Sequence, residues 1–395
     1  MTDALVVGAG PAGLMAAQEL AQAGISVTVA DAKPSPARKF LMAGKSGLNL
    51  TLDQPLDPFV ATYNCPALAP MVQAFGPKQV AHFAHQLGQP VFTGSSGRVF
   101  PKTMKASPLL RAWLARLEDL GVILRRQWRW TGWTDGADHG FETPDGPATL
   151  CPTVTVLACG GGSWARLGSD GRWTDWFRNA GLPVVPFAPS NMGVACAWSE
   201  PMQRFFGTPL KQIGLTAGSQ HVVGECVVSQ RGLEGSAIYA VSQALRVGHR
   251  LTVDLHPDLT VDQITNRLAR PRGKNSLSNH LRKAIKLPDV KRALLREWTG
   301  SLPQDPAALA KLIKALPAPP LYPFPLDEAI YTAGGVPFSA LTPDLMVKDQ
   351  PGLFCAGEML DWDAPTGGYL ITACLATGAW AGQAAARYAR DIAAL

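Results

Sequence analysis

Six residues near the start, Gly8-Ala9-Gly10-Pro11-Ala12-Gly13, carry the spacing G-x-G-x-x-G. That spacing suits a phosphate-bearing ligand. Gly8 permits a tight turn, Gly10 lets a pyrophosphate approach the backbone, and Gly13 lets a helix pack closely on a strand. Asp31 follows 18 residues after Gly13, where a carboxylate can accept hydrogen bonds from a ribose. An acid at this place favours an unphosphorylated ribose, as in FAD or NAD, over NADP. The flanking residues supply the elements that position these groups. Leu5-Val6-Val7 reads as a buried strand. A small-residue helix runs from about Ala12 to Ala23 and stops at Gly24. Ser26 to Ala30 reads as the second strand. The start of the helix offers free N–H groups and a partial positive charge to phosphates.

Three later features separate FAD from NAD. Val154–Gly161 reads as a strand running into a glycine turn, Gly160-Gly161. Gly352–Glu358 reads as a strand ending in Gly357-Glu358. Gly367-Gly368-Tyr369 then opens a long uncharged helix. Flavoproteins built on dinucleotide-binding domains carry these features in this order, with the helix start aimed at the flavin, where reduction places negative charge. The chain has no second G-x-G-x-x-G, so no dedicated site for a nicotinamide dinucleotide is visible. NADH or NADPH is expected only as a transient electron donor.

Composition excludes other classes. Hydrophobic residues make up 47% and charged residues 17%, which rules out a disordered chain. Seven cysteines with no CxxC pair, and seven histidines without zinc spacing, predict reduced, mostly buried thiols and no metal site. Residues 364–386 hold no charge over 23 positions, long enough for a bilayer. They are rich in Ala and Gly rather than Leu, so a buried helix is expected and not a membrane span. The opening Met1-Thr2-Asp3 lacks the positive start of a secretory signal, and a cytoplasmic location is expected.

The chain resembles the BaiN-like bacterial flavoprotein family, also known as NAD(FAD)-utilising dehydrogenases or aminoacetone oxidase family enzymes. The resemblance rests on GAGPAGLMAA (8–17), GRVFPKTMKAS (97–107), ACGGGSWARLGSDG (158–171), GECVVSQRGLEGSA (224–237), YTAGGV (331–336) and GLFCAGEMLDWDAPTGGY (352–369). It implies an α/β fold: a Rossmann-type, glutathione-reductase-like FAD-binding domain, interrupted by a β-rich domain that carries a helical subdomain. It also implies redox chemistry. Steroid enone reduction, aminoacetone oxidation and uridine reduction in ribosomal RNA are all associated with the family. There are departures. Where the family has an Arg-Cys-Asn run, this chain has Gly47-Leu48-Asn49, so any role of that cysteine is absent. A family histidine is replaced by Gln230, and Leu370 replaces an asparagine after Gly368-Tyr369. These changes point to a distinct subgroup.

The candidate FAD contacts are Gly8, Gly10, Pro11, Ala12, Gly13, Asp31, Ala32, Lys39, Gly160, Gly161, Gly357, Glu358, Gly367, Gly368 and Tyr369. Candidate catalytic residues are Tyr369, as proton donor or flavin packing, with Asn49 and Arg98. Lys102 and Asp361 are further polar groups near the ring by motif position, and Asp361 and Asp363 are alternatively helix caps.

Proline clusters at 183–189 and 317–325 bracket the middle of the chain. They place the FAD-binding domain at 1–188 and 323–395, the β-rich insert at 189–260 and 316–322, and the helical subdomain at 261–315. In the last, Leu277, Leu281, Ala284 and Ile285 share one helix face. The net charge of +6 is local. Residues 189–322 hold 17 Lys/Arg against 9 Asp/Glu, and 267–297 alone hold ten against two. Arg282, Lys283, Lys286, Lys291 and Arg292 are candidate RNA contacts, while a solvated face on a basic protein explains the same charges. Three functions stay open on sequence alone. One is hydride transfer from reduced flavin to an activated C=C bond, with uracil in ribosomal RNA as a substrate candidate. The others are a small-molecule flavin oxidase or reductase and a non-catalytic flavin-binding partner of RNA or protein. Oligomeric state is not encoded in any of these signals.

Overall fold

A computed structural model describes residues 3–134 and 138–394. The chain divides into two compact units, 1–188 with 331–395, and 189–330. The first unit is built on a five-stranded parallel sheet. Its strands are β1 (Ala4–Val7), β2 (Val27–Asp31), β3 (Ile123–Arg126), β4 (Val154–Leu157) and β5 (Leu353–Cys355), in the order β5-β4-β1-β2-β3. Every neighbouring pair is parallel. β1 and β4 are buried along their whole length, as a sheet covered on both faces requires. The helix α1 (Pro11–Gln22) crosses from β1 to β2. A small antiparallel sheet of Arg129–Trp133, His139–Thr143 and Gly146–Leu150 lies in the connection from β3 to β4.

The uncharged stretch forms the C-terminal helix, Tyr369–Ala393. Its small residues let it lie directly on α1: a Cβ added at Gly378 would stand 2.3 Å from the Ala12 carbonyl oxygen. Among the described residues no helix is long and apolar enough to cross a membrane. The helix starts at a Gly368 cap with no side-chain hydrogen bond, so neither Asp361 nor Asp363 caps it.

The second unit holds a seven-stranded sheet, in which Pro209–Ala217 and Gln220–Ser229 form the long central hairpin. The unit ends at Ile330, beyond the proline-derived boundary at 322. The reason is local: Tyr322-Pro323 still pairs, as an edge strand, with Val194-Ala195. The helices Val261–Leu268, Leu277–Ile285, Asp289–Thr299 and Pro306–Lys314 do not form a core of their own. Leu268, Leu281, Ile285, Leu294 and Leu309 join one buried cluster with Leu215, Val228 and Val253 of the sheet. Two of the five expected RNA contacts are corrected here. Lys291 is buried, and its Nζ donates to the carbonyls of Gln212 (2.7 Å) and Leu255 (2.8 Å). Arg292 is tied to the Leu287 carbonyl, Ser278 Oγ and Asp289. Arg282, Lys283 and Lys286 are exposed.

Candidate active site

Four strand ends converge on one groove in the first unit. Val7–Ala12 follows β1, Asp31-Ala32 closes β2, Ala158–Gly160 follows β4, and Ala356–Glu358 follows β5; all line it. Ligand sites of open α/β sheets sit at such carboxyl ends. The β1 turn has the geometry its glycines suggest. Gly8 has φ +100°, and a Cβ on Gly13 would stand 1.9 Å from the Gly8 carbonyl oxygen. Nothing lies within 4 Å of a Cβ built on Gly10, so a phosphate has room to reach the backbone there.

Asp31 is fixed by two backbone donors, Ala9 N to Oδ2 (2.9 Å) and Lys33 N to Oδ1 (2.8 Å). Burial raises its carboxyl above the ordinary carboxylate value, and these N–H groups and the charges of Lys33 and Arg38 pull it back. Lys39 closes the far side from the helix α2 (Arg38–Ala43). Its Nζ donates to Glu358 Oε1 (2.6 Å), Glu358 Oε2 (2.8 Å) and Ser163 Oγ (2.6 Å). Thr332 N donates to the same Glu358 Oε1 (3.1 Å), and Thr332 Oγ1 accepts from Gly162 N (3.0 Å). One carboxylate thus joins α2, the glycine turn after β4 and the strand 331–335.

Ten of the fifteen expected cofactor residues line the groove: Gly8, Gly10, Pro11, Ala12, Asp31, Ala32, Lys39, Gly160, Gly357 and Glu358. Gly13 serves packing, and Gly161 abuts the Thr332 side chain. Sequence reasoning missed Arg38, Phe40, Trp128, Arg129, Trp130, Trp173 and Trp176. The aromatic runs at 128–133 and 173–177 were the available signal. Arg129 pairs with Asp170 (2.9 Å), and Trp173 Nε1 donates to the Gly160 carbonyl (2.8 Å).

Gly367, Gly368 and Tyr369 stand elsewhere, in a corner with Arg98 and Thr51; Asn49 lies two residues before Thr51 in the chain. Thr51 and Leu52 pair with Val99 and Arg98. Thr372 Oγ1 donates to Thr51 Oγ1 (2.9 Å), joining the helix start to this strand. Arg98 Nε is 3.9 Å from where a Gly367 Cβ would sit. The Tyr369 ring is buried, stacked on Phe59 (4.6 Å between centroids) and edge-on to Tyr63, whose hydroxyl donates to the Tyr369 carbonyl (2.8 Å). Lys102 is exposed and lines neither the corner nor the groove. The C-terminal helix links the two places. Cys374, five residues on, lines the groove, about 7–8 Å along the helix axis from Tyr369.

The polar atoms here fit FAD. Trp130 Nε1, Ser169 Oγ and Arg38 Nε are buried without a hydrogen-bond partner among the described residues, and all three residues line the groove. Asn49 Oδ1, two residues before Thr51 in the chain, is equally orphaned. Buried polar atoms without partners are costly, and a bound ligand relieves them. Burial pushes the Cys159 thiol well up and the Cys374 thiol to about 12. Among the described residues no group of three or more His, Cys, Asp or Glu gathers as a metal site.

The family model described as HI0933-like protein Rossmann domain matches residues 2–384. The chain belongs to the HI0933-like family. This is the family its motifs resemble, and the chain is an FAD-dependent oxidoreductase. It is 25% identical over 421 residues to the 3-dehydro-bile acid delta(4,6)-reductase of Clostridium scindens, covering 96% of this chain and 98% of that one. It is 26% identical over 397 residues to the ribosomal RNA dihydrouridine synthase of Escherichia coli, covering 93% and 94%. A flavocytochrome c3 fumarate reductase in its open conformation shares the fold, with a TM-score of 0.55 at 18% identity over 98% of this chain and 78% of that one.

Proposed function

We propose that this protein saturates a carbon–carbon double bond conjugated to a carbonyl, with NADH or NADPH as the electron donor. The observation that carries the reading is the corner where Arg98 and Tyr369 meet at Gly367, at a helix start with no side-chain cap, with the orphaned Asn49 Oδ1 two residues before Thr51 in the chain. The positive end of that helix suits a ring that gains negative charge. When bound, FAD supplies hydride transfer to carbon. The residues of the chain supply the rest. Arg98 donates to the carbonyl oxygen and draws charge toward it as the double bond is attacked. Asn49 Oδ1 accepts an N–H hydrogen bond. Of the three, only Tyr369 has a hydroxyl proton to give to the adjacent carbon, and its ring is held in place by Phe59 and Tyr63. Two relatives, a bile acid delta(4,6)-reductase and a ribosomal RNA dihydrouridine synthase, are both named for the loss of a double bond.

Product mass tests the reading. Incubation with NADPH and an α,β-unsaturated ketone, or with uridine-containing RNA, adds two hydrogen atoms to one of them. Tyr369→Phe slows this about 100-fold or more while FAD stays bound. No saturated product from either acceptor would set the reading aside, and an undiminished rate in Tyr369→Phe would remove the proton from that residue. A peroxide-forming oxidase or a non-catalytic flavin carrier gives no saturated product in the same assay.

A further inference from the structure

The second unit carries a stretch in which charge is not balanced. Between Asp262 and Asp289 there is no acidic residue. The loop after the helix Val261–Leu268 exposes Arg270, Arg272 and Lys274, and the helix Leu277–Ile285 and its cap expose Arg282, Lys283 and Lys286. Among the described residues none of the six takes part in an ion pair. Arg282 and Lys283 donate instead to the amide oxygens of Asn279 (3.1 Å) and Asn275 (3.0 Å), which hold the two heads on the surface and leave their charge unmatched. The His280 ring, 3.0 Å from the Leu268 carbonyl, pins the second helix to the end of the first, and Lys283 reaches Asn275, the neighbour of Lys274 at the end of the loop.

Cations in a last helical turn are favoured by the helix dipole, which accounts for Arg282 and Lys283. It does not account for the three on the loop. A face that only solvates the protein mixes both signs, because like charges repel. The residues between the loop cations and the helix cations include the amides and hydroxyls Asn275, Ser276, Ser278 and Asn279, types that contact phosphate and sugar. From 261 to 299 no large apolar side chain is exposed. A membrane-surface helix needs such residues to insert, and a reader of single strands needs them to stack on bases.

We propose that this face grips the phosphate backbone of structured, base-paired RNA without reading its sequence. It rests on the proposed reduction in one respect: it makes RNA the substrate-bearing molecule. Electrostatic attachment by one unit would hold the RNA while a uracil is presented for reduction.

The test uses the full-length, FAD-loaded protein and a labelled RNA hairpin of about 16 base pairs, a span with two successive minor grooves. Binding is followed from about 50 to about 200 mM salt, where each phosphate neutralised contributes slightly less than one unit of log–log slope. The variant Arg282→Gln/Lys283→Gln/Lys286→Gln is expected to bind at least tenfold more weakly at low salt, with the slope reduced by about two to three. Its FAD content and its reduction of a small enone stay at wild-type level, which shows it is folded. Unchanged hairpin affinity in the variant overturns the proposal. So does equal affinity for phosphatidylserine vesicles, or stronger binding to a single strand of the same sequence. Hairpin binding that behaves as expected while no double bond is ever reduced upholds the RNA face and removes only the reductase reading.

Discussion

Lys39 reaches three side-chain oxygens, and its partner Glu358 keeps only 10% of its side chain exposed. Lys39→Met leaves that carboxylate nearly buried and unpaired. The expected cost is about 2–3 kcal/mol, below the usual figure for a broken buried pair because Lys39 itself remains partly in water. Urea unfolding of apoprotein reads the cost, and FAD retention on dilution falls with it. Wild-type stability and retention in Lys39→Met would mean that the clamp is ornamental. A second residue gives the fold a pH limit. Burial holds the His139 imidazole at about 4, with Nε2 2.9 Å from Thr155 Oγ1 and Nδ1 without a partner among the described residues. The unfolded chain takes up this proton near pH 6.5, so the stabilisation is complete above that pH and is lost as pH falls through 6.5 toward 4. Up to roughly 3 kcal/mol is at stake. His139→Gln removes the titration and should flatten the pH dependence of unfolding over this window; an unaltered slope would assign the loss to other groups.

At the level of elements, the same residue type serves different ends. Gly24 has φ +82° with nothing within 4 Å of a Cβ, whereas Gly368 has φ +106° and its Cβ would stand 2.4 Å from the Thr51 backbone. Gly24→Ala is expected to cost about 1 kcal/mol for the left-handed backbone alone. Gly368→Ala must in addition push the C-terminal helix off the strand at Thr51, so its cost should exceed that of Gly24→Ala by at least about 2 kcal/mol. Equal denaturation midpoints for the two variants would show that the helix start is not wedged against Thr51. The βαβ unit was legible because its glycines, its strands and Asp31 each occupy a position fixed by backbone geometry. The uncharged stretch from 364 to 386 was legible as a buried helix from its Ala and Gly content. Its start was legible too, from Gly367-Gly368-Tyr369, but the alternative of a cap by Asp361 or Asp363 failed, because residue type alone suggested it and the cap is Gly368. Lys291 failed for a similar reason. A lysine in a basic run looks solvated, and the two carbonyls that hold it come from residues 79 and 36 positions away.

Across the whole chain, the family and fold class could be read from short motifs, but the walls of the groove could not. Trp128, Trp130 and Trp173 reach the groove from aromatic runs, and nothing in such a run marks an indole as ligand-facing rather than core. The division of labour was readable only as charge, and the charge sits on the second unit while the dinucleotide groove lies wholly within the first. The central claim concerns what the bound flavin does. Its most direct test is an anaerobic single turnover, in which the protein is reduced and then mixed with a conjugated carbonyl acceptor, either an enone or a uridine-containing RNA hairpin, while flavin absorbance is followed. Reoxidation of the flavin at a rate that rises with acceptor concentration, and matches the appearance of saturated product, is the predicted result. A flavin that stays reduced with both acceptors, yet is reoxidised by molecular oxygen at a rate fast enough for turnover, would contradict it.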